Sequence, residues 1–152
     1  MSAEINDRVA TFVREVCTSM GLSVETSVEE TADNVWIKIV GSGGDLLLQR
    51  RGEGLDSLQH VVNTAFKREL RGNNHFVVDH LDFRKARDEE TKQMARFLID
   101  KARTTGTAQE MGPLNPYARR LVHLAVAGSP DMASESIGDA FLKTVIISRR
   151  KP

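Results

Sequence analysis

Residues 46–58 read LLLQRRGEGLDSL, and the fold of the first half of the chain depends on this stretch. Its apolar start predicts a short helix over 46–48, and apolar residues at helical spacing predict a longer helix over 53–70. The turn between the two helices holds Gln49, Arg50, Arg51 and Gly52. Because a helix N-terminus presents N–H groups without intrahelical partners, and glycine allows close backbone approach, this turn is a candidate anion-binding site.

The surrounding sequence predicts the other elements of a first domain. Apolar residues at helical spacing predict an amphipathic helix over 5–20, and alternating apolar residues predict two antiparallel strands over 22–28 and 35–39. A third strand is predicted over 76–81, and the glycine-rich residues 41–44 are expected to form a flexible connection. The predicted order is therefore helix, strand, strand, short helix, helix, strand.

The remaining residues predict a smaller α/β domain with a helix pair on a short sheet. A charged helix is expected over 84–105. Its apolar stripe is predicted to be Met94, Phe97, Leu98 and Ala102. Asn115 and Pro116 predict the start of a second helix, because asparagine caps free N–H groups and proline suits the first helical position. The tail over 134–148 predicts a hairpin.

The predicted fold class is α+β, with two domains at residues 1–83 and 84–152. The 152-residue chain has 21 basic and 21 acidic side chains, and hence no net charge. Residues 1–83 hold 8 basic and 13 acidic side chains, a net charge of −5, whereas residues 84–152 hold 13 and 8, a net charge of +5. The second domain is therefore the better suited to bind an anion.

Composition excludes several classes of protein. With 40% hydrophobic and 28% charged residues, the chain is neither disordered nor fibrous. No apolar run approaches the roughly 20 residues of a membrane helix, and the polar N-terminus does not resemble a signal peptide, so we expect a cytoplasmic protein. Cys17 is the single cysteine and the four histidines fit no zinc spacing, so neither a metal site nor a cofactor is predicted.

Arg119 and His123 lie four residues apart on the helix that is predicted to start at Pro116, and therefore on one face of it. If Leu121 is the centre of the buried arc, Arg119, Arg120 and His123 fall on the far side. Such a face can bind phosphate through the guanidinium and offer the imidazole ring to a base. The alternatives are an ordinary polar helix face here and an ordinary solvated turn at residues 49–52.

The order of the predicted elements fits the type II KH arrangement (αββααβ), in which the loop between two helices clamps about four nucleotides of a single strand. Four stretches carry a closer resemblance: RGEGLDSLQHVVN at 51–63, RKARDEE at 84–90, RTTG at 103–106 and LNPYARRLVH at 114–123. They are similar to the bacterial Jag/KhpB family, which joins a type II KH domain to an R-3-H domain. That second domain is named for its Arg-x-x-x-His signature.

The resemblance implies a non-catalytic, cytoplasmic protein that binds single-stranded RNA in post-transcriptional control linked to cell elongation and division. It implies RNA or single-stranded DNA as ligand, and pairing with a smaller single-KH protein as a further option. By position, the implied RNA-binding residues are Gln49, Arg50, Arg51, Gly52, Arg119, Arg120 and His123.

Two departures from the family pattern keep other functions open. Gln49 replaces the first glycine of the KH loop, and Leu142 stands about where an arginine is expected. One alternative is therefore a protein-interaction module with a degenerate KH loop, and another is a single-stranded DNA binder. A third is a nuclease-like enzyme, which is suggested by the neighbouring residues Asp79, His80 and Asp82.

Overall fold

The computed structural model describes residues 3–70 and 74–151. Two short 3₁₀ segments lie at Ser42–Leu48 and Lys67–Glu69. The helices and strands are, in chain order, α1 (Ala3–Ser19), β1 (Glu25–Glu30), β2 (Asn34–Val40), α2 (Gln49–Ala65), β3 (His75–His80), α3 (Phe83–Thr105), β4 (Gln109–Leu114), α4 (Pro116–Ala127), β5 (Met132–Ile137) and β6 (Lys143–Arg149).

The predicted α+β class is confirmed, and the chain forms two compact units, Met1–Lys85 and Ala86–Pro152. The division falls two residues after the boundary that the sequence suggests. In the first unit, β2 pairs antiparallel with β1 and parallel with β3. Apolar residues of α1 and α2 form one core with β2 and β3, including Val9, Val13, Val35, Ile37, Leu55, Val62, Phe76 and Val78.

The glycine-rich residues 41–44 do not form the flexible connection that the sequence predicts. They begin the 3₁₀ segment Ser42–Leu48, which packs closely against the rest of the unit. A Cβ on Gly43 would lie 2.4 Å from the carbonyl oxygen of Ser23, and one on Gly44 would lie 3.0 Å from the ring of His80. Close packing therefore leaves no room for a side chain at Gly43 and little at Gly44.

The junction between β3 and α3 is held by a buried carboxylate. Asp79 is 2% exposed, and its side chain accepts hydrogen bonds from the backbone N–H groups of His80 at 2.7 Å, Arg84 at 2.8 Å and Lys85 at 3.2 Å. Two of these donors belong to the first turn of α3, where N–H groups lack helical partners. Asp79 therefore caps α3 from the end of β3.

Arg84, in the first turn of α3, has a fully buried side chain. Its Nε donates to the carbonyl of Val78 at 2.9 Å, and its Nη1 donates to Oδ1 of Asp56 at 2.9 Å. A buried charge is stable only when it is paired and hydrogen-bonded. Arg84 therefore fastens the start of α3 to both β3 and α2.

The second unit places α3 and α4 on one face of a sheet with strand order β4-β6-β5, in which both pairings are antiparallel. This is the helix pair on a short sheet that the sequence predicts. The core of the unit consists of Ala95, Ile99, Ala102, Val122, Val126, Met132, Val145 and Ile147. Of the predicted stripe of α3, Ala102 is buried and Leu98 packs against this core, whereas Met94 and Phe97 are exposed.

The sequence does not predict the strand β4. Its sequence, QEMGPL, contains a Gly-Pro pair, which is typical of a turn. The strand lies at the sheet edge, where proline needs no ladder partner, and its pairing with β6 shifts between Met111 and Leu114. An edge position therefore reconciles the Gly-Pro pair with a strand.

Within residues 3–70 and 74–151, no helix is both long enough and apolar enough to cross a membrane. The same residues hold no group of three or more histidine, cysteine, aspartate or glutamate side chains placed to bind a metal ion. Cys17 is buried in the core of the first unit, and this burial raises the pKa of its thiol.

We expect Asp56→Ala to lower the free energy of unfolding by about 3 kcal/mol, because it removes the carboxylate that faces a buried guanidinium. Denaturant unfolding would measure the change. Glu53→Ala is the matched control on the same helix: it removes a 3.9 Å pair with Arg50 in which both side chains are exposed. Exposed pairs contribute little, so equal effects of the two variants would contradict this account.

Candidate nucleic-acid interface

The turn at the start of α2 has a left-handed backbone. Arg50 (φ 52°, ψ 48°), Arg51 (φ 59°, ψ 34°) and Gly52 (φ 78°, ψ 24°) follow one another in this region, after an extended Gln49. Left-handed conformations cost a residue with a Cβ about 1–2 kcal/mol. Two consecutive arginines therefore stand in a conformation that suits glycine better.

The polar residues of this turn face solvent. Gln49, Arg50 and Arg51 are exposed, and the side chain of Arg50 is 86% exposed. The turn follows the 3₁₀ segment Ser42–Leu48, so the predicted position of the turn between two helical elements is confirmed. The structure thus exposes two consecutive arginine side chains at this turn.

Gly52 has a role that differs from the sequence interpretation. It is buried, and a Cβ at this position would lie 2.4 Å from Cε1 of Phe83. The open side of this glycine therefore faces an aromatic ring of the first unit and does not face solvent. Packing and a positive φ explain the glycine, and the charge that an anion would meet comes from Arg50 and Arg51.

The start of α4 is formed as the sequence predicts. Oδ1 of Asn115 accepts a hydrogen bond from the backbone N–H of Ala118 at 2.8 Å, and Pro116 takes the first helical position. This cap fixes where the helix begins and therefore which way its side chains leave it. Arg119 and His123 follow one above the other on the first turns.

Arg119 is half-buried and holds two backbone segments with one nitrogen. Its Nη1 donates to the carbonyl oxygens of Leu114 at 2.7 Å and Phe141 at 2.8 Å. Within the part of the chain that the structure describes, no hydrogen-bond partner lies on its Nε or Nη2. The guanidinium is therefore fixed in place by one nitrogen while two remain able to bind an anion.

His123 lies over β5, which corrects the expectation that its ring projects away from the core. Its Nδ1 is 2.7 Å from Oγ of Ser134, and its Nε2 is 2.9 Å from Oγ of Ser136. The fully buried positions of α4 are Val122 and Val126. Centring the buried arc on residue 122 in place of 121 rotates it by about 100° and brings residue 123 towards the sheet.

The charge of His123 follows from this position. Partial burial, and secondly the nearby positive charge of Arg119, lower the pKa of the imidazole from its ordinary value. The ring is therefore neutral at neutral pH, with one nitrogen donating and the other accepting from the two serine hydroxyls. A neutral ring contributes shape and hydrogen bonds to a ligand site, and it contributes positive charge only in acid.

The two serines are site residues that sequence reasoning missed. Ser134 and Ser136 alternate along β5, so both side chains point to the same face of the sheet. A Ser-x-Ser pattern in the predicted hairpin is the signal that could have found them. Arg120 is half-buried and leaves α4 about 100° around the helix from Arg119.

Asp88 supports the same helix from α3. Tyr117 on α4 donates its hydroxyl hydrogen to Oδ2 of Asp88, which is almost fully buried. Because α3 begins at Phe83, the acidic residues Asp88, Glu89 and Glu90 lie beyond its first turn, where a helix dipole would favour acids.

The residues behind the enzyme alternative have structural roles. Asp79 caps α3, and the buried ring of His80 lies 2.8 Å from both the carbonyl oxygen of Ile39 and Oδ1 of Asp45. These contacts account for both residues within the fold. They give no support to a nuclease-like site at this end of β3.

We expect Gly52→Ala to destabilise the chain by about 2–4 kcal/mol, because the new methyl group meets Phe83 and the backbone is left-handed. Thermal or denaturant unfolding would measure this. In the matched control, Gly54→Ala, the Cβ would meet Leu47 at an ordinary 3.4 Å within regular helix. That variant should be neutral or stabilising; a harmless Gly52→Ala would refute the packing account.

The lowered pKa of His123 predicts a pH-dependent stability. Between the lowered pKa and the ordinary value of about 6.5, the unfolded chain binds more protons than the folded chain. The contribution of the neutral ring is therefore complete above about pH 6.5 and is lost as the pH falls through the folded pKa. The free energies of unfolding of the wild type and of His123→Gln should therefore differ less in acid than at neutral pH. A difference that does not change with pH would contradict a lowered pKa for His123.

Comparison with known proteins links this geometry to named relatives. Residues 89–149, which include Arg119 and His123, match the sequence model of the R-3-H domain. The chain is 28% identical over 149 residues to the RNA-binding protein KhpB of Clostridium symbiosum, an alignment that covers 97% of this chain and 67% of that protein. It is 22% identical over 142 residues to the RNA-binding protein KhpB of Bacillus subtilis, covering 92% and 68%. These two alignments extend over both units, whereas the match to the R-3-H domain lies within the second.

Proposed function

We propose that this chain is a non-catalytic protein that binds single-stranded RNA, with Arg119 as its principal phosphate ligand. The observation that carries the proposal is the guanidinium of Arg119, which is fixed by two carbonyl oxygens through Nη1 while Nε and Nη2 have no partner among the described residues. Such a pre-positioned fork suits a phosphate, because little side-chain entropy is lost on binding.

His123 completes this site in two ways. Its ring is held by Ser134 and Ser136 at the edge strand β5, next to Arg119, and it is only partly buried. It offers a planar surface to a base and, when protonated, a second positive charge to the phosphate backbone. The net charge of +5 on residues 84–152 favours the approach of an anionic polymer.

The turn of Gln49, Arg50, Arg51 and Gly52 is proposed as a second contact, through the two exposed guanidinium groups. Residues 1–83 would then serve as a type II KH domain and residues 84–152 as an R-3-H domain. The helix, two strands, helix and strand of the first unit, with β2 parallel to β3, support that proposal. Both named relatives are called RNA-binding proteins, which supports RNA as the ligand.

From the resemblance to the Jag/KhpB family we also propose a cytoplasmic role in post-transcriptional control linked to cell elongation and division, with a smaller single-KH protein as partner. Single-stranded DNA is the alternative ligand. A protein-interaction role remains the second candidate for the first domain, because Gly52 faces Phe83 and leaves the turn without a glycine that opens to solvent.

Fluorescence anisotropy across a salt series tests the proposal. We expect binding of a short single-stranded RNA to weaken with salt, and Arg119→Ala to reduce the slope of log K against log salt by about 0.7–1, because one phosphate contact is lost. Arg119→Lys should retain the slope while lowering affinity. Arg96→Ala is the control, since Arg96 is an exposed arginine of α3 that pairs with Glu89 at 3.3 Å.

Further binding measurements separate RNA binding from the alternative ligands and from a protein-interaction role. The same sequence as DNA and as duplex RNA reports the choice of ligand, and Arg50→Glu reports the contribution of the turn at the start of α2. A slope that Arg119→Ala leaves unchanged would refute Arg119 as a phosphate ligand. Absence of RNA binding at low salt, together with capture of a protein partner after nuclease treatment, would favour the interaction module.

A further inference from the structure

The loop between β5 and β6 exposes an aromatic side chain beside the phosphate ligand proposed above. Phe141 is 54% exposed and its neighbour Leu142 is 51% exposed. The backbone carbonyl of Phe141 accepts a hydrogen bond from Nη1 of Arg119 at 2.8 Å. The exposed ring of Phe141 therefore belongs to the same residue whose backbone carbonyl binds the Arg119 guanidinium. Nε and Nη2 of that guanidinium have no hydrogen-bond partner among the described residues.

This position is fixed by several contacts. The same Nη1 binds the carbonyl of Leu114, which is opposite Lys143 in the sheet. The loop begins at Gly138, whose positive φ of 123° favours glycine and whose open side faces the side chain of Lys143. The start of α4, the end of β4 and this loop therefore meet at the guanidinium of Arg119. A second cation, Lys143, begins the neighbouring strand β6.

We propose that Phe141 is a stacking platform for an unpaired nucleobase of the strand whose phosphate Arg119 binds. The inference rests on the proposed function and adds a base-binding residue to it. Proteins that hold single strands combine positive groups that follow the backbone with aromatic rings on which bases stack. Arg119 and Lys143 supply the first feature, and Phe141 supplies the second.

The chemistry of the neighbours selects the occupant. A protein partner would cover the loop with apolar surface, but the backbone of Phe141 contacts the cation Arg119, and residues 84–152 carry a net charge of +5. Within the loop itself the acid Asp139 balances Lys143, so the local positive charge comes from Arg119. A nucleotide satisfies both kinds of group at once, because its phosphate pairs with a cation and its base buries the ring. The other exposed phenylalanine of this unit is Phe97 on α3, which is 61% exposed and provides a comparison.

A stacked base has two consequences for the ligand. Every base has a π-face, so stacking tolerates sequence, and the site should show modest sequence preference. A base inside a duplex is already stacked on both sides and is not available to Phe141. Stacking on Phe141 therefore accounts for a preference for single strands over duplexes, whereas the phosphate contact of Arg119 accounts for the salt dependence of binding.

A double-mutant cycle between protein and oligonucleotide tests the inference on the full chain. One single-stranded RNA carries 2-aminopurine at a central position, and a matched RNA carries abasic sites around that position. We expect Phe141→Ala to weaken binding of the base-containing RNA about 10-fold and to leave the abasic RNA nearly unchanged. The wild type should quench 2-aminopurine fluorescence, and Phe141→Ala should not.

Two further variants keep the result interpretable. Phe97→Ala removes a similarly exposed ring from the same unit and should bind like the wild type. Phe141→Trp preserves an aromatic face and should retain binding and quenching, which separates stacking from a folding defect. Thermal unfolding of each variant confirms that the second unit is intact.

The failure of this inference is distinguishable from failure of the proposed function. If the wild type binds neither RNA at low salt, the proposed function fails. If the wild type binds with a salt slope that depends on Arg119, and Phe141→Ala behaves like the wild type, only the stacking inference is overturned. Equal loss of both RNAs in Phe141→Ala also overturns it, as does an effect of Phe141→Ala confined to self-association in sedimentation.

Discussion

The buried guanidinium of Arg84 is the constraint on which the first unit depends. A charge without access to water must be matched by acceptors, and these come from Asp56 on α2 and the carbonyl of Val78 on β3. The preceding residue, Phe83, lies against Gly52 at the turn that begins α2. One short junction therefore fixes the helix, the strand and the turn that presents Arg50 and Arg51.

The second unit uses a similar principle at its surface. Arg119 and His123 each have structural partners, in carbonyl oxygens and serine hydroxyls, and each keeps part of its side chain available. Side chains that are held in this way lose less freedom when a ligand arrives than long, fully solvated ones. The residues that organise the edge of the sheet are thus the ones proposed to bind the ligand.

Local signals in the sequence predict some of this architecture correctly. The Asn115 cap and Pro116 define α4 because the physical effect is confined to neighbouring residues. The direction of His123 is missed because it depends on which of two adjacent apolar residues faces the sheet, and that is decided by packing. The strand that contains Gly112 and Pro113 is missed because only its edge position makes it tolerable.

Packing between distant segments explains the other differences. The glycines at residues 43 and 44 fit against Ser23 and His80, contacts that no local pattern reveals. On α3 Ala95 is buried while the larger apolar neighbours Met94 and Phe97 are exposed, because a small side chain allows a helix to lie close to a sheet. The match over residues 89–149 supports the R-3-H character of the second unit, whereas the KH character of the first unit stays a prediction from the resemblance.

The left-handed arginines at the start of α2 have an evolutionary consequence. Glycine or asparagine would replace Arg50 and Arg51 with less strain, so selection for stability alone would drive both codons away from arginine. If these arginines bind RNA as proposed, lineages that lose this binding should drift towards small residues at the turn. Persistence of positive charge there, at a cost in thermal stability, would mark lineages in which the proposed binding is still under selection.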